Sequence, residues 1–145
     1  MSKMYWQLYY HIVWATKGRQ PLISEEVQDT IVRYVQAKCD ETGCVLHAAG
    51  AAIDHEHILV SIPPDARISD FIRDVKGGSS HLINHEMALD TPFYWQRGAG
   101  IISIASRDKP RVVEYIRGQR EKHASGDLLP SLERSGTDTK DDDPA

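Results

Sequence analysis

The sequence predicts an α+β domain of the ferredoxin-like split βαβ type: an antiparallel sheet with helices on one face, followed by a C-terminal helix. Three observations carry this. Strand-type and helix-type runs alternate in the order strand, helix, strand, strand, helix, strand, helix. The two middle strands are joined only by a tight turn at Ile53-Asp54. No segment of the chain repeats, which excludes a solenoid or propeller.

Tyr5 to Ala15 is dense in aromatic and β-branched residues, the composition of a strand. Ser24 then precedes Glu25-Glu26 and an apolar set of helical period, Val27, Ile31, Tyr34 and Val35, which closes near Gly43. Cys44 to Ala52 and His55 to Ile62 form a hairpin that Pro63-Pro64 stops. A second helix starts at Ser69 and carries Phe71, Ile72, Val75, Leu82 and Ile83, with a break or kink expected at Gly77-Gly78. After an aromatic loop over 91–100, Ile101 to Ala105 reads as the fourth strand. Pro110 suits the opening turn of a last helix from Asp108 to His123.

These elements make residues 1–124 one domain, large enough to bury a core without disulfides. Residues 125–145 lack periodic apolar positions and read as an acidic tail, disordered unless a partner orders it. Charge divides the same way: residues 1–124 hold 15 basic and 15 acidic side chains, so the net charge of −4 belongs to the tail. A neutral body binds nucleic acid where its cations cluster, as Lys17/Arg19, Arg73/Lys76, Arg107/Lys109/Arg111 and Arg117/Arg120/Lys122 do in sequence. No apolar run approaches the roughly 20 residues that span a bilayer, and the N-terminus lacks a signal-type stretch. The expectation is a cytoplasmic protein with no membrane partner. Cys39 and Cys44, separated by four residues, fit neither a redox pair nor a zinc quartet and read as reduced structural thiols.

The chemistry concentrates in two places. Residues two apart on a strand share a face, so His55 and His57 offer two imidazoles to one divalent metal. Residues four apart on a helix also share a face, so Tyr115 and Gln119 present a phenol and an amide oxygen together. The combination suggests a tyrosine nucleophile attacking a phosphodiester held on a metal ion. Neutral ligands of this kind suit Mg2+ or Mn2+, and the absence of a thiolate argues against structural zinc.

Four segments, in this order and spacing, resemble the single-tyrosine HUH transposases of small bacterial insertion sequences, the IS200-like transposases, and their palindrome-associated relatives. They are Tyr10-His11-Ile12-Val13-Trp14-Ala15-Thr16-Lys17-Gly18-Arg19, Asp54-His55-Glu56-His57-Ile58-Leu59-Val60-Ser61-Ile62-Pro63, Phe71-Ile72-Arg73-Asp74-Val75-Lys76-Gly77-Gly78-Ser79-Ser80 and Val113-Glu114-Tyr115-Ile116-Arg117-Gly118-Gln119-Arg120-Glu121-Lys122-His123. The resemblance implies a homodimeric enzyme that cuts and rejoins single-stranded DNA at the foot of hairpins. It implies that His55, His57 and Gln119 ligate the metal and that Tyr115 becomes the 5′-phosphotyrosine. Lys17, Arg19, Arg73, Lys76, Ser79, Ser80 and Arg117 are the residues expected to meet DNA, with bases stacking on Tyr94 or Trp95.

Three features depart from that family pattern. Glu56 stands between the histidines where the family has a bulky apolar residue, Ala99 stands where an aromatic is usual, and the acidic tail lies beyond the resemblance. Other histidines have plainer readings: His11 as a packed strand residue, and His47, His81, His85 and His123 on surfaces or caps. A histidine-triad nucleotide hydrolase would need a third histidine where Leu59 stands. The remaining alternatives are a domesticated palindrome-processing relative and an inactive hairpin-binding module, with Glu56 as the mark of decay.

Overall fold

The computed structural model describes residues 4–136. Its elements in chain order are β1 (Tyr9–Ala15), α1 (Glu25–Thr42), β2 (Val45–Ala51), β3 (His55–Ser61), α2 (Ile68–Glu86), β4 (Gly100–Ile104), α3 (Lys109–Arg117) and α4 (Gln119–Ser125). The strands form one sheet in the order β2-β3-β1-β4, every neighbouring pair antiparallel. This is the predicted fold class.

Strand alternation sorts side chains into two layers. Ile12, Trp14, Ile58 and Val60 face the larger core with Val27, Ile31 and Val35 of α1 and Phe71, Val75 and Ile83 of α2. The opposite face carries Leu59 and Ala48 against Val112, Tyr115 and Ile116 of α3. The central strand β3 is therefore buried on both sides, and α3 packs on the face on which His55 and His57 lie. Gly50 permits this approach, since a Cβ there would collide with the carbonyl of Ile116.

Local signals fix the ends of the elements. The Ser24 hydroxyl accepts from the Val27 N–H at 3.2 Å, an N-cap worth about 1 kcal/mol. Gly43, at φ 76°, closes α1. The Ile53-Asp54 turn is closed by the Ala52 N–H donating to the carbonyl of His55 at 3.1 Å.

Several boundaries differ from the sequence reading. β1 begins at Tyr9 rather than Tyr5. No break occurs at Gly77-Gly78, and α2 runs unbroken. The reason is packing: a Cβ at Gly78 would overlap the Tyr34 ring of α1, so this glycine serves helix contact and not a bend. The last helix instead divides at Gly118 into α3 and α4.

The expected tail also needs correction over its first half. Gly126, at φ 77°, ends α4 and reverses the chain, which then makes a short 3-10 turn over Pro130–Leu132. Leu132 is 5% exposed and joins the α3 core with Leu129. Two leucines are too few to give a periodic signal, yet enough to seat the segment. The remaining acidic stretch, 137–145, lies outside the described residues. Among the described residues no helix is long and apolar enough to cross a membrane.

Candidate metal and nucleophile site

β3 carries His55 and His57 on the α3 side, 2% and 0% exposed. Each ring is held through its Nδ1. The His57 Nδ1 lies 2.8 Å from Nε2 of His11, and the His55 Nδ1 lies 2.6 Å from Oδ1 of Asp54. With Nδ1 facing Asp54 in one case and His11 in the other, both rings turn Nε2 toward the same point. Burial drives the His57 pKa down to about 4, against the pull of Glu133, and that of His11 down to about 3. Both are neutral imidazoles at pH 7, the form that ligates metals.

α3 and α4 bring the other groups. Tyr115 is 4% exposed, with its ring centroid 6.1 Å from that of His57. Its hydroxyl accepts from the Leu129 N–H at 3.1 Å and donates to Glu133 Oε2 in a short hydrogen bond. Burial first, and the Glu133 carboxylate second, push the phenol pKa up to about 12. Gln119, one turn later, donates its Nε2 to the carbonyl of Tyr115 at 3.2 Å, while its Oε1 is buried without a hydrogen-bond partner.

Two groups that the sequence reading missed complete the cluster. His123, expected on a surface or cap, places its Nε2 3.0 Å from that of His55. Glu133 Oε1 stands 3.0 Å from His55 Nε2, 3.2 Å from His123 Nε2 and 3.4 Å from His57 Nε2, the last without hydrogen-bond geometry. Burial would raise the Glu133 carboxyl, but the neighbouring His55, His57 and Tyr115 side chains outweigh it and hold the group well below the usual carboxylate range. One signal for His123 was present: it follows Gln119 by four and Tyr115 by eight, on the same helical face. Nothing local marks Glu133.

The donor set fits a divalent cation. Ligand atoms of His55, His57, His123 and Glu133 all lie within 4.8 Å of one another, and the unpartnered amide oxygen of Gln119 is a further neutral donor of the right kind.

Glu56 faces the opposite layer, as the alternation requires. It is 0% exposed, and its Oε2 accepts from Gln28 Nε2 of α1 at 3.0 Å. Burial raises its pKa well above the ordinary value, opposed by that hydrogen bond and by the charge of Arg120.

The expected DNA-facing residues fall into different settings. Arg19 sits beside the cluster, 3.7 Å from Asp54, and donates to Ser135 at 3.1 Å. Lys17 is exposed, with its ammonium 6.0 Å from the Tyr94 ring centre. Arg73, Lys76, Ser80 and Tyr94 line a groove of about 560 Å³ whose walls include none of the cluster residues. Arg73 is exposed there beside Asp70 and Asp74, and Ser80 donates to the carbonyl of Gly77. Lys76 donates to the carbonyls of Gln96 and Gly98. Ser79 is fully buried and accepts from the Trp95 indole at 3.0 Å. Both Ser79 and Trp95, 6% exposed, belong to the core, so stacking on Trp95 is corrected; Tyr94 is 51% exposed. Arg117 is exposed on α3 and lines a separate hollow with Gln28 and Arg120.

Residues 4–119 match the family model described as Transposase IS200 like. The chain belongs to the IS200-like transposase family. It is 28% identical over 130 residues to the transposase for insertion sequence element IS200 of Salmonella typhimurium, covering 86% of this chain and 84% of that protein. The ISDra2 transposase TnpA of Deinococcus radiodurans is 24% identical over 122 residues, covering 81% and 87%. Two solved structures share the fold. One, a transposase candidate from Deinococcus radiodurans R1, has a TM-score of 0.66 at 24% identity, covering 83% of this chain and 96% of that one. The other, a REP-associated tyrosine transposase bound to a REP hairpin, has a TM-score of 0.62 at 17% identity, covering 100% and 99%. The family match ends at Gln119, so His123 and Glu133 of this transposase lie beyond it.

Proposed function

We propose that this IS200-like transposase cleaves and rejoins single-stranded DNA beside hairpins through a 5′-phosphotyrosine on Tyr115, with Mg2+ or Mn2+ held by His55, His57 and Gln119. The observation that carries the reading is the convergence of a phenol and two imidazoles on one anion. Glu133 bridges the Tyr115 hydroxyl and the His55 Nε2, the span a scissile phosphate would need between nucleophile and cation. The hairpin partner is supported by the REP hairpin in the related structure.

In the cleavage step the Tyr115 oxygen loses its proton and bonds to phosphorus, and the bond from phosphorus to the 3′ oxygen breaks, releasing a 3′ hydroxyl. Rejoining runs the step backwards: a 3′ hydroxyl attacks phosphorus and Tyr115 leaves, so no ATP is consumed. A cation bound to the imidazoles would withdraw charge from a non-bridging phosphate oxygen. Asp54 and His11 hold His55 and His57 in the orientation this needs. Gln119 is one turn from the nucleophile and hydrogen-bonded to its backbone, so the two move together. The homodimer implied by the resemblance stays part of the proposal, although one chain already brings these groups together.

The inactive-module alternative loses its motive. Glu56 points away from the imidazoles and is accommodated by Gln28. The test is incubation of the protein with hairpin-bearing single strands and Mn2+. A denaturation-resistant protein–DNA band that Tyr115→Phe abolishes supports the proposal. A band that persists in the variant contradicts Tyr115 as nucleophile.

A further inference from the structure

We propose that, in the DNA-free protein, His123 and Glu133 are themselves metal ligands, so that the resting cation is held by three imidazoles and one carboxylate. This deepens the reading above, resting on His55 and His57 as metal-binding imidazoles, and adds two residues outside the family match.

Crowding carries the argument. The Nδ1 atoms of His55 and His57 are already engaged by Asp54 and His11. Their Nε2 atoms both face Glu133 Oε1, at 3.0 and 3.4 Å, and His55 Nε2 also faces His123 Nε2 at 3.0 Å. Three nitrogens crowd one carboxylate oxygen, and a single proton can bridge only one of those contacts. A shared cation satisfies all of them at once, which is the arrangement a four-donor metal site presents when the ion is removed.

The chemistry of the set gives it a preference. Three borderline imidazole donors favour Mn2+, Co2+ or Zn2+ over Mg2+, which prefers oxygen ligands and keeps its waters. The carboxylate lowers the net charge of the ion and its ligands from +2 to +1. Its second oxygen meanwhile binds the Tyr115 hydroxyl, so the carboxylate stands where a phosphodiester would enter. Binding DNA productively therefore exchanges Glu133 for phosphate, leaving the imidazoles in place.

The test is metal binding by the full chain without DNA. Free Mn2+ is followed by electron paramagnetic resonance, and Co2+ by visible absorption. Glu133→Ala and His123→Ala should each weaken Mn2+ binding by at least about tenfold, the loss that disturbing even an outer-shell partner brings. Each should also alter the Co2+ absorption band. Glu133→Gln, nearly identical in shape, should weaken Mn2+ binding too. Mg2+ should displace Mn2+ only in large excess. If the three variants retain native circular dichroism and bind Mn2+ as tightly as wild type while His57→Ala does not, the cluster is a hydrogen-bonded ion pair and the proposal is overturned. The same holds if Mn2+ binds none of the proteins. These outcomes are independent of the covalent-adduct assay, so failure here and failure of the nuclease reading are told apart.

Discussion

His11 and His57 meet side chain to side chain across the two central strands, Nε2 to Nδ1 at 2.8 Å. They are diagonal neighbours, since His11 is registered with Leu59 and His57 with Val13. The contact leaves the His11 Nδ1 buried without a hydrogen-bond partner, an arrangement that costs roughly 1–3 kcal/mol. On the proposed function, that cost holds a metal ligand in place.

The first prediction follows from that contact. His11→Phe fills a similar volume but leaves the His57 Nδ1 proton without an acceptor. Mn2+ affinity should fall about 10–100-fold, as for other partners that orient a metal ligand. Thermal stability should change little, because one orphaned nitrogen, the His11 Nδ1, is exchanged for another, the His57 Nδ1. Unchanged affinity in a metal titration would make His11 a packing residue only.

Titration of the proposed nucleophile gives a second. Tyr115, pushed up to about 12 by burial and by Glu133, is almost wholly protonated near neutrality. At saturating Mn2+ the single-turnover rate of adduct formation should rise roughly tenfold per pH unit between pH 7 and 9. Glu133 gives way to phosphate in the DNA complex, so Glu133→Gln should show the same slope. A profile that is flat for both proteins would remove phenol ionisation from the slow step.

Glu56 governs how stability varies with pH. Its folded pKa lies above the ordinary value, so its contribution is fully present below about pH 4.5 and is lost as pH rises through the folded pKa. Glu56→Gln keeps the shape and cannot ionise. The variant should match wild type at pH 4 and exceed it at pH 8, by about 1.4 kcal/mol for each pH unit over which folding keeps the Glu56 carboxyl protonated. Urea denaturation at the two pH values measures the difference, and equal values at pH 8 would mean the Glu56 charge is fully compensated.

The adjacent glycines of α2 should respond in opposite directions. A Cβ at Gly77 meets nothing within 4 Å, so Gly77→Ala should gain the helix-propensity difference of about 1 kcal/mol. At Gly78 the same methyl runs into Tyr34, and overpacking of roughly 1–3 kcal/mol should outweigh that gain. Adding Tyr34→Ala to Gly78→Ala should recover part of the loss. Denaturant midpoints decide it, and equal midpoints for the two glycine variants would refute the packing account.

What could be read from the chain depended on how far each determinant lay from its neighbours. His55 and His57 share a face through strand period alone, and Tyr115 with Gln119 through helical period, so both pairs were legible. Their convergence was not local, because it requires α3 to cross the face of β3. The burial of Ser79 and Trp95 depends on how α2 meets the loop after it, which residue type does not disclose. Gly78 was misread because a missing side chain signals flexibility and close approach equally well. Glu133 was invisible for a further reason: it reaches the cluster from a segment anchored by Leu129 and Leu132, within a stretch whose composition resembles a solvated tail.

Phenol and imidazoles belong to one polypeptide, the ring of Tyr115 standing edge-on to that of His57. The proposed strand scission, run by groups of one polypeptide, is then a first-order event. Its rate constant should hold as the enzyme is diluted, and mixing His57→Ala with Tyr115→Phe chains should restore no cutting, because neither could lend the other its missing half.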